Sequence, residues 1–167
     1  IAYWMRDLAY IVLLDFIFSQ QDRVGNIDFV PHWYWVENGQ IKSRKAKRHG
    51  KETDPLPEGA VLIKRTHLND NDAGGRVEYA NFAKSTQMLD GMRHFPAPTY
   101  AKLMMLNADL QAQGPLFFYL RDSFGVSARE FAQIVTNTQA AAQILSDACR
   151  RGELVFDVEP ESFFLSG

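Results

Sequence analysis

Only one cysteine, Cys149, stands in the chain of 167 residues. No disulfide can close within it, and a lone thiol favours a reducing compartment such as the cytoplasm. Its place on a helical face reads as packing. Net charge is nearly absent as well, at −2. A chain so balanced is not expected to bind nucleic acid or a membrane surface through its overall field. Long apolar runs are also missing, since the uninterrupted ones fall far short of the ~20 residues that span a bilayer. Ile1 to Phe18 is apolar but carries Arg6, Asp7 and Asp15, without a basic leader or a small-residue cleavage site, so no targeting signal is read. His49, His67 and His94 are scattered with no metal-ligand spacing, and His32, between two strand aromatics, reads as a packed side chain.

What the chain does have is a packed-domain composition, 46% hydrophobic and 13% aromatic, which excludes disorder. Residues 1–167 fit a single domain that buries roughly two-thirds of its unfolded surface. Because Ile1 falls inside a helical pattern, the chain reads as a piece of a longer protein. Apolar residues at Trp4, Leu8, Ile11, Val12, Phe16 and Phe18 predict a deeply buried helix from Ala2 to about Gln20. Ile27 to Val36 then reads as a strand, with Phe29, Trp33 and Trp35 on one face and Val30, His32, Tyr34 and Val36 on the other. Pro31 predicts an edge or bulged strand. Asn38-Gly39 is a strong hairpin signal that turns the chain back at Ile41.

Residues 42–58 are too charged and too Pro-rich for a core and predict a mobile loop, in which Lys42, Arg44, Lys45, Lys47, Arg48 and Lys51 form a basic cluster. Gly59 to Leu68 resumes as a strand. Helices are expected at Tyr79–His94, Thr99–Gln111 and Leu116–Phe124. A last helix opens with Ser127 and Glu130 in capping-box spacing, buries Phe131, Ile134, Val135, Thr138, Ala141, Ala142, Leu145, Ala148 and Cys149, and ends at Gly152. A tail through Leu154-Val155-Phe156 and Phe163-Phe164 should lie back on the bundle. The class is therefore α+β: a buried helix, a short antiparallel hairpin sheet and a C-terminal helical bundle.

Two polar turns interrupt this frame. The first offers Asp22, Arg23, Gly25 and Asn26 within five residues, directly after the buried helix. The second is Asn69-Asp70-Asn71-Asp72-Ala73-Gly74-Gly75 after a strand, so the two could meet at one end of the sheet. Phosphoryl transfer needs a carboxylate near the acceptor hydroxyl and one or two Mg²⁺ ions (Mn²⁺ serves similarly) on the phosphates, and such cations take carboxylate and amide oxygens. Asp22 could orient the acceptor, while Asn26 and Asp70 could hold metal. Asp28 and Asp72 are further carboxylates able to replace their neighbours.

Helix–Asp–Arg–x–x–Asn–apolar, then a hairpin, then an Asp-Asn turn resembles the C-terminal lobe of the atypical kinases: the HipA-like toxin kinases, phosphatidylinositol kinases, Golgi casein kinases and spore-coat kinases. Phe16 to Arg23 is similar to the lead-in of their Asp-Arg-His motif, and His67 to Asn71 resembles the strand and turn that supply their metal aspartate. Val24 stands here where those families have His. The resemblance implies ATP as co-substrate with Mg²⁺ or Mn²⁺, Asp22 and Arg23 as catalytic residues, Asn26 and Asp70 at the nucleotide, and Asn26 with Asp70 or Asp72 as metal ligands. Arg23 would steady the loop by pairing with a nearby carboxylate. No glycine-rich loop, strand lysine or partner glutamate precedes the helix, so the covering lobe would come from upstream sequence or a partner chain.

Two alternatives accompany this reading. Asp70 to Phe82 also resembles the active-site segment of hot-dog acyl-CoA thioesterases, with Asp72 as the catalytic carboxylate. A non-catalytic module would instead bind a partner through the basic cluster, which on the kinase reading lies near the site and could steer an acidic or phosphorylated acceptor.

Overall fold

Asn38 and Gly39 have φ of 52° and 70°, the paired positive values of a type I′ turn. In the computed structural model, which describes residues 1–23, 26–47, 55–68 and 74–165, this turn joins β1 (Ile27–Glu37) to β2 (Gln40–Lys45), and β3 (Val61–Leu68) pairs on the other side of β1. The order is β2-β1-β3, antiparallel throughout. β1 is therefore the middle strand, not the edge strand that Pro31 led us to expect. The reason lies in which side Pro31 faces. Its carbonyl accepts from Ala46 N–H at 2.9 Å, so its amide nitrogen faces the same side, and β2 has already ended opposite His32. The missing donor thus falls beyond the last β2 pair and leaves the β1–β3 ladder intact.

The loop expected over 42–58 is also corrected, because Lys42, Arg44 and Lys45 belong to β2. Lys42 and Arg44 lie directly across from Trp35 and Trp33, where their aliphatic stems can cover indole surface while the charges meet water. Arg48 and Lys51 lie outside the described residues.

The helix α1 (Ala2–Phe18) packs on α5 (Ala128–Arg150), on the single turn α2 (Phe82–Ser85) and on β3. Ala9, Val12, Leu13 and Phe16 enter one core with Leu89, Phe95, Leu103, Ile134 and Leu145. Deep burial is expected of this helix, yet Trp4, Leu8 and Leu14 remain 52%, 48% and 45% exposed. The sheet and the bundle flank the helix without closing over these positions. Trp4 uses its polar edge, donating to the Lys64 carbonyl at 2.7 Å, and its ring meets Phe29 at 5.8 Å.

Asp7 fixes α1 to the sheet. Its carboxylate accepts from Arg65 Nε at 3.0 Å and Nη2 at 2.6 Å, and Arg65 Nη1 donates to the Tyr34 hydroxyl at 2.6 Å. The Arg65 guanidinium also sits 4.7 Å from the Tyr3 ring centre. Burial alone would raise the Asp7 carboxyl, but hydrogen bonds from Arg65 and Thr66 outweigh it and hold the group below its ordinary value. Burial pushes the Tyr3 phenol up to about 12.

The helix expected over Tyr79–His94 shrinks to α2. Asn81 caps it by accepting from Lys84 N–H at 3.0 Å, but Thr86 Oγ1 donates back to the Phe82 carbonyl at 2.6 Å and Gln87 takes φ 54°, which stops propagation after one turn. The other helices fall where the periodicity put them: α3 (Ala97–Ala112), α4 (Pro115–Ser123) and α5. The Ser127–Glu130 capping box is formed with both of its bonds. Gly152 has φ 70°; its N–H reaches the Cys149 carbonyl at 3.0 Å and Glu153 N–H reaches that of Ala148 at 2.9 Å, the two bonds of a Schellman motif. The tail does return, with Val155 bonded to Arg93 and Phe95 and α6 (Ser162–Leu165) setting Phe164 6.1 Å from Tyr3 and from Tyr34. Cys149 packs against the core. A hot-dog fold needs long strands after residue 82, and residues 97–150 form α3–α5 instead, so the thioesterase reading is set aside.

Asp7→Ala should destabilise the chain by about 2–3 kcal/mol in urea unfolding, somewhat less than for a fully buried pair, because 24% of the Arg65 side chain meets solvent. Since the folded Asp7 value is depressed, its contribution is complete above the ordinary aspartate range near ~4 and is lost as pH falls through the folded value. A pH series on the wild type and on Asp7→Asn should show the variant losing less stability in that acid window.

Candidate functional site

The last carbonyls of a helix have no partner inside it; at the end of α1 the cap closes on Asp15, and Phe16, Ile17 and Phe18 are met from elsewhere in the chain. The Asp15 carbonyl accepts from Ser19 N–H and from Gln20 N–H, the latter at 3.1 Å. Phe16 accepts from the Asn81 amide at 2.6 Å and Ile17 from the Asn137 amide at 3.2 Å. Phe18 accepts from Gly75 N–H at 2.5 Å. Ser19 itself holds φ 52° and ψ 48°, a left-handed conformation that costs a non-glycine residue roughly 1–2 kcal/mol. Its fully buried hydroxyl accepts from both Asn81 and Asn137, at 3.3 and 3.2 Å, which offsets that cost.

This fixed end throws the chain into the first polar turn. Arg23 folds back on α1, with Nε and Nη2 donating to the Asp15 carboxylate at 2.9 and 2.7 Å. The two side chains are only 10% and 8% exposed. Arg23 thus pairs with a carboxylate as the kinase-like reading requires, and acts as an anchor for its neighbours. Asp22 is exposed. Its N–H donates to Gln20 Oε1 at 3.2 Å, and its carbonyl accepts from Asn26 Nδ2 at 2.7 Å. Asn26 N–H closes the turn onto the Arg23 carbonyl at 3.1 Å. Gly25 lies outside the described residues, as do Asp70 and Asp72. Asp28 is exposed on β1, paired across the ladder with His67.

Sheet register sets the surroundings. Ile27, next after Asn26, pairs with Leu68, so β3 leaves the sheet where β1 enters it. By Gly75 the chain is back on the Phe18 carbonyl. Asp22, Arg23 and Asn26 therefore share one corner with both ends of the acidic segment. A cavity of about 380 Å³ opens there, walled by Leu14, Phe18, Leu68, Phe124 and Val126 beside Arg23. The basic residues of β2 do not border it. Lys42 and Arg44 lie across from Trp35 and Trp33, roughly 20–26 Å along β1 from Ile27 at ~3.3 Å per residue, so these two stand away from the site, while Arg48 and Lys51 of the same cluster lie outside the described residues.

Among the described residues no group of three His, Cys, Asp or Glu side chains could hold a metal ion. Asn26 commits Nδ2 to the turn, which leaves Oδ1 as its cation-binding atom. By residue type, Asn26 Oδ1 and the carboxylates of Asp70 and Asp72, which lie outside the described residues, are oxygen donors of the hard kind that suits Mg²⁺ or Mn²⁺. The sequence reading missed Asp15, Ser19, Asn81 and Asn137. Asn137 gave a signal in retrospect, as an amide on the apolar face of an amphipathic helix. Compared with protein-family models, curated proteins and solved structures, the chain finds no match.

Removing one member of the Asp15–Arg23 pair strands a buried charge. Asp15→Ala and Arg23→Met should each cost about 3–5 kcal/mol, whereas Asp15→Leu/Arg23→Met should recover most of the loss, because an apolar replacement of a buried pair is often near neutral. Urea unfolding of the four proteins checks this, and additive losses would refute the pairing.

Proposed function

We propose that this chain is the C-terminal lobe of a kinase-like phosphotransferase that moves the γ-phosphoryl group of ATP to a hydroxyl acceptor. The observation that carries the reading is the pairing of Ile27 with Leu68, by which the Asp22–Asn26 turn and the acidic segment after β3 depart from one corner of the sheet.

The Asp22 carboxylate, exposed on a turn whose backbone is tied at both ends, orients the acceptor hydroxyl. It takes the hydroxyl proton as the new oxygen–phosphorus bond forms and the bond to the ADP leaving oxygen breaks. Arg23 acts indirectly, holding the turn through Asp15. Asn26 Oδ1 and the carboxylate of Asp70 or Asp72 would hold Mg²⁺ or Mn²⁺, which when bound neutralises phosphate charge. A covering lobe for the nucleotide comes from upstream sequence or a partner chain. The fixed end of α1 sets the turn that carries Asp22 and Asn26, which supports a reaction run mainly by positioning.

Thermal unfolding with Mg²⁺ and ATP tests the site. At about 100-fold saturation a ligand of the folded state adds ~2.7 kcal/mol, an upward shift of roughly 5–10 °C for this size, and Asp70→Ala should lose most of it. In the protein carrying its covering lobe, Asp22→Ala should lower transfer by at least ~100-fold. Unchanged transfer in Asp22→Ala, or a thermal shift that Asp70→Ala retains in full, would overturn the assignment.

A further inference from the structure

The corner cavity carries a feature that phosphoryl transfer does not use. Arg23 lines it, and the guanidinium is a planar fork with five N–H donors. Asp15 occupies the Nε and Nη2 edge. Nη1 is buried and has no hydrogen-bond partner among the described residues, on a residue that is 9% exposed. Buried donors are nearly always satisfied, and an exception calls for an occupant.

The surroundings narrow what that occupant is. Leu14, Phe18, Leu68, Phe124 and Val126 make the walls apolar, with the Phe18 and Phe124 rings 6.0 Å apart. A lone water needs two to four polar partners, and beside these apolar walls the side-chain oxygens are those of Asp15 and Gln20, which already accept from Arg23 and from Asp22 N–H. The volume of about 380 Å³ lies at the lower end of the range for small-molecule sites. Charge decides the head group. Asp15 already neutralises Arg23, so a carboxylate or phosphate beside them would leave a net negative charge in a largely desolvated place. A neutral acceptor satisfies Nη1 without that penalty.

We propose that this cavity binds a small, mostly apolar molecule through a neutral carbonyl oxygen that accepts a hydrogen bond from Arg23 Nη1. Such a ligand braces the end of α1 against the α4–α5 junction, where Phe124 and Val126 lie, and this role stands apart from the phosphotransfer reading.

Benzophenone tests the proposal directly, since its ketone is both the hydrogen-bond acceptor and the photoreactive centre. On irradiation the excited carbonyl takes a hydrogen atom from a nearby C–H bond and the two radicals join, so the product keeps the whole mass of the probe. Peptide mass spectrometry of the labelled chain should find one equivalent, on Leu14, Phe18, Leu68, Phe124 or Val126. Leu14→Trp, at a half-exposed position, fills the mouth and should cut labelling by about tenfold at an unchanged folded fraction by circular dichroism. Benzanilide, a neutral amide of similar size, should compete, and diphenylacetate should compete at least about tenfold less well, independently of any variant. Labelling scattered over the exposed aromatics, undiminished labelling of folded Leu14→Trp, or better competition by diphenylacetate would overturn the proposal.

Discussion

The carbonyls of Phe16, Ile17 and Phe18 end α1 without partners inside the helix, and the donors that reach them come from Asn81, Asn137 and Gly75. This convergence organises the molecule more tightly than apolar burial does. Burial supplies most of the stability but is non-directional, so it leaves the angle of the outgoing chain undetermined. Hydrogen bonds to buried carbonyls are directional, and leaving one unmade costs about 1–3 kcal/mol against a total stability of about 5–15 kcal/mol. The chain after β3, the cap of α2 and the middle of α5 are thereby tied to one point, and Ser19 is held left-handed there.

Two ion pairs extend that control along the helix. Asp7–Arg65 fixes the first half of α1 to β3, and Asp15–Arg23, about two turns further on, fixes the outgoing turn to the second half. Each is bidentate, so each sets an orientation as well as a distance. Between them they lock α1 against the sheet, and the sheet register then brings Leu68 beside Ile27. The exposed carboxylate of Asp22 and the amide of Asn26 follow directly on that tied helix end.

What the sequence disclosed follows from how local each device is. Asn38-Gly39, Ser127 with Glu130, and Gly152 work within a few residues, and each formed as expected. The apolar period of α5 was legible too, since it repeats over 23 residues. Pro31 misled because its tolerance depends on where β2 stops, which no residue near it specifies. The short α2 arises from Thr86 and Gln87 outcompeting a helical pattern that continues past them. The candidate site divides along the same line. Asp22, Arg23 and Asn26 stand together in the chain and were visible as a cluster, whereas Asn137 reaches a carbonyl 120 residues away and Asp15 meets Arg23 only once α1 has ended. Asp70 and Asp72 lie outside the described residues.

The central claim is that one cation–nucleotide site occupies the corner where β1 enters and β3 leaves the sheet. Paramagnetic broadening by Mn²⁺, added with ATP to the nitrogen-labelled chain and followed by amide NMR, measures this most directly. The account predicts that the amides of Asp22, Asn26, Leu68 and Gly75 broaden first while those of the Asn38-Gly39 turn stay sharp. Broadening centred away from this corner, or none at all, would contradict it.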